Sequence, residues 1–291
     1  MIRTAFTFLT LLTVIAGLPA VAPADEQGLS NDTKTFTDPQ DMREADWSDP
    51  SEMERSWQAA LVRLPRPEGG SAGATVADLA APQDPESRFP TVIYLHGCSG
   101  VWYGTHQRMT FLADNGFLVI APISLAREKY PLSCDEETHQ GALYRPTLRM
   151  RQHDAGHAIE KARSLPLVDP DNIFLVGLSE GGITAATFRP ANPRQKIKAR
   201  VVEGWTCQAG WPEYKGIAAT EQEPVLTLVG AEDPWFQDEW TRGDCTGFID
   251  ETNGSRSIVY RDPPLASLHE LLDEPEPRQE VLQFLREQLN R

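Results

Sequence analysis

From Thr91 onward, short apolar bursts punctuate this chain, and segments of a different rhythm separate them. Thr91–Leu95, Phe117–Ala121, Ile173–Val176, Arg200–Glu203, Val225–Val229 and Ser257–Tyr260 are each centred on aliphatic or aromatic side chains. Ile173–Val176 is apolar throughout, as expected of a strand buried on both faces. Thr105–Asn115, closed by Gly116, and Leu148–Leu165, closed by Pro166, read as helices. Pro277–Leu289 is a third, with Val281, Leu282, Leu285 and Leu289 on one face. Strands alternating with helices imply an α/β domain: a mostly parallel sheet covered on both faces.

Two stretches depart from that rhythm. Ile123–Pro146 is a long loop with Tyr130-Pro-Leu-Ser-Cys134 inside it, a length usual for a functional cap or lid. Upstream, Trp57–Leu64 and Ala74–Leu79 predict short antiparallel strands joined by the turn Glu68–Gly73, followed by a loop over Ala81–Ser87. Asp25–Arg55 carries ten acidic against three basic side chains, which predicts a flexible, solvated lead-in over 25–55 before a domain spanning 56–291. Trp47 and Trp57 are the apolar exceptions near it.

The first residues read as an address. Met1-Ile-Arg3 is basic, Ala5–Gly17 is apolar, and Ala22-Pro23-Ala24 offers a cleavage site, so residues 1–24 are predicted to be a signal peptide. Cleavage after Ala20 is the alternative. The apolar run is too short to span a membrane, and no later stretch approaches about 18 apolar residues. The expectation is an exported protein, periplasmic or secreted. A formal net charge of −15 over 291 residues argues against nucleic acid or an anionic membrane surface as partner. With 40% hydrophobic and 24% charged residues, there is ample material for a core.

Candidate chemistry begins where the run Ile173–Val176 meets Gly177-Leu178-Ser179-Glu180-Gly181-Gly182. This is G-x-S-x-G between a strand and a helix starting at Ile183, the context of a nucleophile elbow. So sharp a turn forces the serine into a strained conformation, and side chains two positions away would strike the neighbouring elements. The N–H of Glu180 then lies at a helix N-terminus, where it can donate to an oxyanion. A serine needs a base, and the base an orienting carboxylate, which follow in the order acid then histidine. Of six histidines, only His269 follows the elbow. The acid is read as Asp233, in Gly230-Ala-Glu-Asp233-Pro234 after a strand, with Glu232 and Asp238 as fallbacks. The loop His96-Gly97-Cys98-Ser99-Gly100 supplies a second oxyanion donor, the N–H of Cys98, with His96 holding the loop. His153-Asp-Ala-Gly-His157 superficially resembles a metal motif. However, Asp replaces Glu, no third ligand is evident, and no metal is expected; Arg151 and Asp154 are expected to pair on that helix.

Together, Tyr94–Gly100, Gly177–Gly182, Gly230–Asp233 and His269 resemble the α/β-hydrolase fold, and within it the dienelactone hydrolase-like family. The resemblance covers roughly Ser56–Leu289. It implies an eight-stranded, mainly parallel sheet, a Ser179–Asp233–His269 triad, oxyanion donors at Cys98 and Glu180, and no cofactor. Dienelactone hydrolases proper use a cysteine nucleophile in the cytoplasm; a serine stands here, behind an export signal. The implied activity is hydrolysis of a small-molecule carboxylic ester, with an exported peptidase or amidase and a non-catalytic binding protein as alternatives. Glu180 is expected to pair with Arg127 or Arg145. Among Cys98, Cys134, Cys207 and Cys245, the favoured disulfides are Cys207–Cys245 and Cys98–Cys134, each tying neighbouring loops, against four free thiols. Trp102, Trp205, Trp211, Trp235 and Trp240 fall in or beside the active-face loops, where an aromatic wall and core packing are competing readings.

Overall fold

The computed structural model describes residues 29–81 and 88–290. The predicted signal peptide (1–24) and most of the Ala81–Ser87 loop lie outside them. In chain order the elements are α1 (Glu44–Trp47), α2 (Pro50–Gln58), β1 (Leu61–Pro65), β2 (Ser71–Ala74), α3 (Val76–Leu79) and β3 (Phe89–Leu95). Next come α4 (Tyr103–Asp114), β4 (Leu118–Ala121), α5 (Thr147–Arg163), β5 (Val168–Leu178) and α6 (Glu180–Thr187). The chain finishes with β6 (Ala199–Glu203), β7 (Val225–Gly230), β8 (Arg256–Tyr260) and α7 (Pro275–Leu289). The strands form one eight-stranded sheet in the order β2-β1-β4-β3-β5-β6-β7-β8. The β2–β1 and β1–β4 pairings are antiparallel and all others parallel.

The continuous apolar character of the central strands has a simple cause. Successive side chains point to opposite faces, and here both faces are covered. Val92, Tyr94, Phe174 and Val176 pack with Met109 and Leu112 of α4 and with Val281, Phe284 and Leu285 of α7. Ile93, Leu95, Ile173 and Leu175 pack on the other side with Ala155, Ala158 and Ile159 of α5 and with Ala185 of α6.

Before β1 the structure corrects the sequence reading. Trp57 belongs to a helix, not a strand: Asp49 caps α2 by accepting from the Ser51 N–H at 2.8 Å, with Pro50 in its first turn. Val76–Leu79 is likewise a helical turn, closed by a reciprocal Thr75–Asp78 capping box. Nor do the charges of the lead-in face only water. The carboxylate of Glu52 accepts from the Glu128 N–H at 2.6 Å, Asp46 meets Lys129 at 2.9 Å, and Thr37 exchanges backbone and side-chain hydrogen bonds with Tyr130. Acidic composition signals solvation only when the backbone donors of another segment are not there to receive it.

Both favoured disulfides are present, Cys98–Cys134 and Cys207–Cys245, leaving no free cysteine among the described residues. They fit an oxidising compartment. No helix among the described residues is long and apolar enough to cross a membrane. Trp57 is buried among Val62, Val76 and Leu118, so Trp57→Ala is expected to cost about 3–5 kcal/mol. Urea unfolding reads this directly, and a loss under about 1 kcal/mol would show that the segment does not belong to the fold.

Candidate active site

All the predicted site residues lie at the C-terminal ends of parallel strands, where loops converge over the sheet edge. Ser179 follows β5 with φ 57° and ψ −121°, a left-handed conformation rare for a residue with a side chain. Its N–H donates to the Glu203 carbonyl at 2.9 Å, and its own carbonyl accepts the Ile183 N–H at 2.8 Å. The glycines are required by contact. A Cβ on Gly177 would lie 2.1 Å from the Gly181 carbonyl oxygen, and one on Gly181 would lie 2.1 Å from that of Leu95.

Asp233 is almost fully buried after β7, and its Oδ2 lies 2.7 Å from His269 Nδ1. Oδ1 of the same carboxylate accepts the Trp235 N–H at 3.0 Å. The fallback acids Glu232 and Asp238 are exposed. The His269 ring stacks on Trp235 at 5.3 Å between centroids and leans on Phe236 at 5.7 Å. With Nδ1–H donating to Asp233, Nε2 is left as an acceptor; it is buried and has no hydrogen-bond partner. Ser179 and His269 line one cavity.

The loop after β3 approaches the serine closely: a Cβ on Gly97 would stand 3.7 Å from that of Ser179. His96 holds this loop. Its Nε2 accepts the Ser124 N–H at 3.2 Å, so Nδ1 carries the proton and donates to the Gly97 carbonyl at 2.6 Å. Burial, reinforced by the Arg151 charge, pushes the His96 pKa down to about 3.

Arg151 corrects two expectations. It does not pair with Asp154. Its Nη1 meets Glu180 Oε1 at 2.9 Å and reaches the Gly97 carbonyl at 3.5 Å, while Nη2 donates to the His96 carbonyl. Arg127 instead holds Asp154 at 2.8 Å, and Arg145 holds Glu213, so neither of the two arginines expected for Glu180 reaches it. The long loop does reach Glu180, but through the Tyr130 hydroxyl, at 3.4 Å. Sequence position alone put Arg151 beside Asp154 on the helix. The guanidinium instead satisfies carbonyls at the end of β3 that the sheet leaves unpaired. Through this one side chain the peptide carrying the Cys98 N–H and the residue carrying the Glu180 N–H are clamped together.

His157 lies 3.0 Å from Glu54, and no group of three or more His, Cys, Asp or Glu among the described residues is arranged to hold a metal ion. Sequence reasoning passed over Glu270, directly after His269. Burial raises its carboxyl to about 7, opposed by the nearby Arg108 guanidinium and aided by Glu203 and Asp273.

Two outcomes follow. Arg151→Lys keeps the charge but loses the planar fork; kcat should fall by about tenfold or more while KM changes less than about threefold. Steady-state kinetics checks this, and an equal loss in KM would make Arg151 a substrate-binding group. The unprotonated His96 also sets a pH dependence. Below about 6.5 the unfolded chain takes up a proton that the folded one refuses until about 3, so this contribution is intact above 6.5 and shrinks as pH falls. At pH 5 the loss amounts to about 2 kcal/mol. His96→Asn should reduce the difference in unfolding free energy between pH 7 and pH 5 by that amount, as read by denaturant titration at the two pH values.

No curated protein matches the sequence. The family model for the dienelactone hydrolase family matches residues 76–248. Among solved structures, a protein from Klebsiella pneumoniae subsp. pneumoniae described as a candidate dienelactone hydrolase superposes with a TM-score of 0.51 at 18% identity, covering 78% of this chain and 99% of its own. That likeness shows the fold, the α/β-hydrolase fold. A promiscuous dienelactone hydrolase-like phosphotriesterase from metagenomic libraries superposes at 0.49, with 18% identity over 69% of this chain and 87% of its own. An esterase from Pyrobaculum calidifontis superposes at 0.46, with 18% identity over 87% and 93%.

Proposed function

The chain belongs to the dienelactone hydrolase family and is a hydrolase; on that premise we propose that it is an exported serine hydrolase that cleaves a carboxylic ester through Ser179, His269 and Asp233. The observation that carries this reading is the state of His269. Its Nδ1 is anchored to buried Asp233 at 2.7 Å, and its Nε2 is unpartnered beside the cavity it lines with Ser179.

In the proposed reaction His269 Nε2 takes the Ser179 proton as Oγ attacks the ester carbonyl. The N–H groups of Cys98 and Glu180 hold the oxyanion. Their aim is fixed by the Arg151 clamp and by the Gly97 carbonyl, which accepts from His96 at 2.6 Å on the far side of the Cys98 peptide. Preorganised donors of this kind contribute roughly 10²–10³ each. Collapse of the intermediate passes the proton from His269 to the departing alcohol, and water then repeats the cycle on the acyl-enzyme. Two disulfides and the basic–apolar start of the chain support export.

The test is hydrolysis of p-nitrophenyl esters of increasing chain length, with Ser179→Ala and His269→Ala alongside. Each variant should lose about 10⁴-fold or more in kcat. Near-normal turnover by Ser179→Ala would overturn the assignment.

A further inference from the structure

Ser179 sits at the junction of two unlike chambers. One, of about 420 Å³, runs past Glu180 and is walled by Trp205, Trp211, Trp235, Phe236 and Tyr214. The other, of about 180 Å³, is lined by His269, Trp102, Glu136 and Glu270. His269 borders only the smaller one. In acyl transfer the base must hand its proton to the leaving oxygen, so the leaving alcohol lies on the histidine side and the acyl group on the other. The reaction therefore sorts the two halves of the ester between the chambers.

Each chamber has its own chemistry. In the larger, aromatic faces favour a flat ring by stacking. In the smaller chamber, Glu270 Oε2 is buried without a hydrogen bond, 3.5 Å from the Arg108 guanidinium. Arg108 is itself held by Glu203 and Asp273, and hydroxyl groups can donate to Glu270 and to Glu136. A carboxyl raised to about 7 also serves hydroxyls well, since it can both accept and donate near neutral pH.

Resting on the serine-esterase reading above, we propose that the substrate is an ester of an aromatic acid with a small, neutral, polyhydroxylated alcohol, the acid held in the tryptophan-lined chamber and the alcohol against Glu136 and Glu270. The acyl C–O bond breaks, Ser179 Oγ takes the acyl group, and the alcohol leaves with the proton from His269. Water then releases the aromatic acid.

The experiment is a matrix of 4-hydroxycinnamoyl, decanoyl and acetyl groups, each as glyceryl, methyl and choline esters, followed by product chromatography with the full chain. The expected order of kcat/KM is hydroxycinnamoyl above acetyl and decanoyl by tenfold or more, and glyceryl above methyl and choline by tenfold. Trp211→Ala should shrink the acyl preference at least fivefold, and Glu270→Leu should bring the glyceryl-to-methyl ratio toward one. Decanoyl or acetyl esters cleaved best, or choline esters preferred, would overturn the proposal, as would ratios unmoved by the two variants. A fluorophosphonate probe separates this failure from a deeper one. Labelling of Ser179 with the wrong substrate order rejects only the chamber assignment, and no labelling rejects the serine hydrolase itself.

Discussion

The site depends on one close approach of backbones. Where β5 turns into α6, the main chain of Gly177 touches that of Gly181, which in turn rests against the Leu95 carbonyl at the end of β3. No Cβ fits at either glycine. That contact brings the end of β3, the start of α6 and the end of β6 together around a single serine, which hydrogen-bonds to the last two. It is what allows Ser179 to remain at positive φ: the cost, of order 1–3 kcal/mol, is offset by a sheet bond to Glu203 and the first helical bond, from Ile183. Loosen the crossing and the strain relaxes, taking with it the aim of the Cys98 and Glu180 N–H groups.

Buried charge keeps these loops in place. Arg108, Arg127, Arg151 and Arg200 are fully buried, and each faces a carboxylate: Glu203, Asp154, Glu180 and Glu223. Pairs of this kind are weak sources of stability but costly to break on one side only, so they select one arrangement over its neighbours. Arg108 grips Glu203 through two nitrogens, at 2.9 and 3.1 Å, while Glu203 Oε1 also accepts the Leu272 N–H at 2.7 Å. The floor of the elbow and the segment just beyond His269 are thereby one rigid piece. Arg151 does the same for the roof.

What could be read from the sequence was whatever local physics determines. The G-x-S-x-G turn, the apolar runs of strands covered on both sides and the single histidine after the elbow are set by contacts a few residues long, or by elimination, and they gave the sheet and the positions of Ser179, Asp233 and His269. Partner choice among long side chains was not legible. Arg151 and Asp154 stand one helical turn apart, yet each reaches a different element, because burial and unpaired carbonyls outweigh an exposed pairing worth a few tenths of a kcal/mol. The lead-in misled for a related reason. Its Glu52 carboxylate is satisfied by backbone N–H groups more than 70 residues away in sequence, and composition carries no record of them.

The Cys98–Cys134 bond joins the loop beside Ser179 to the long segment before α5. That segment also provides the chamber wall at His139–Ala142 and touches Glu180 through Tyr130. A covalent tie at this point removes a degree of freedom that many capped enzymes use. The segment cannot swing outward without dragging the Cys98 loop away from Ser179. Opening and catalysis would then be mutually exclusive mechanical states, with entry left to the rim where Trp211 and Trp240 meet solvent. On the proposed mechanism, traffic would be governed by the width of a fixed doorway rather than by the rhythm of a moving door.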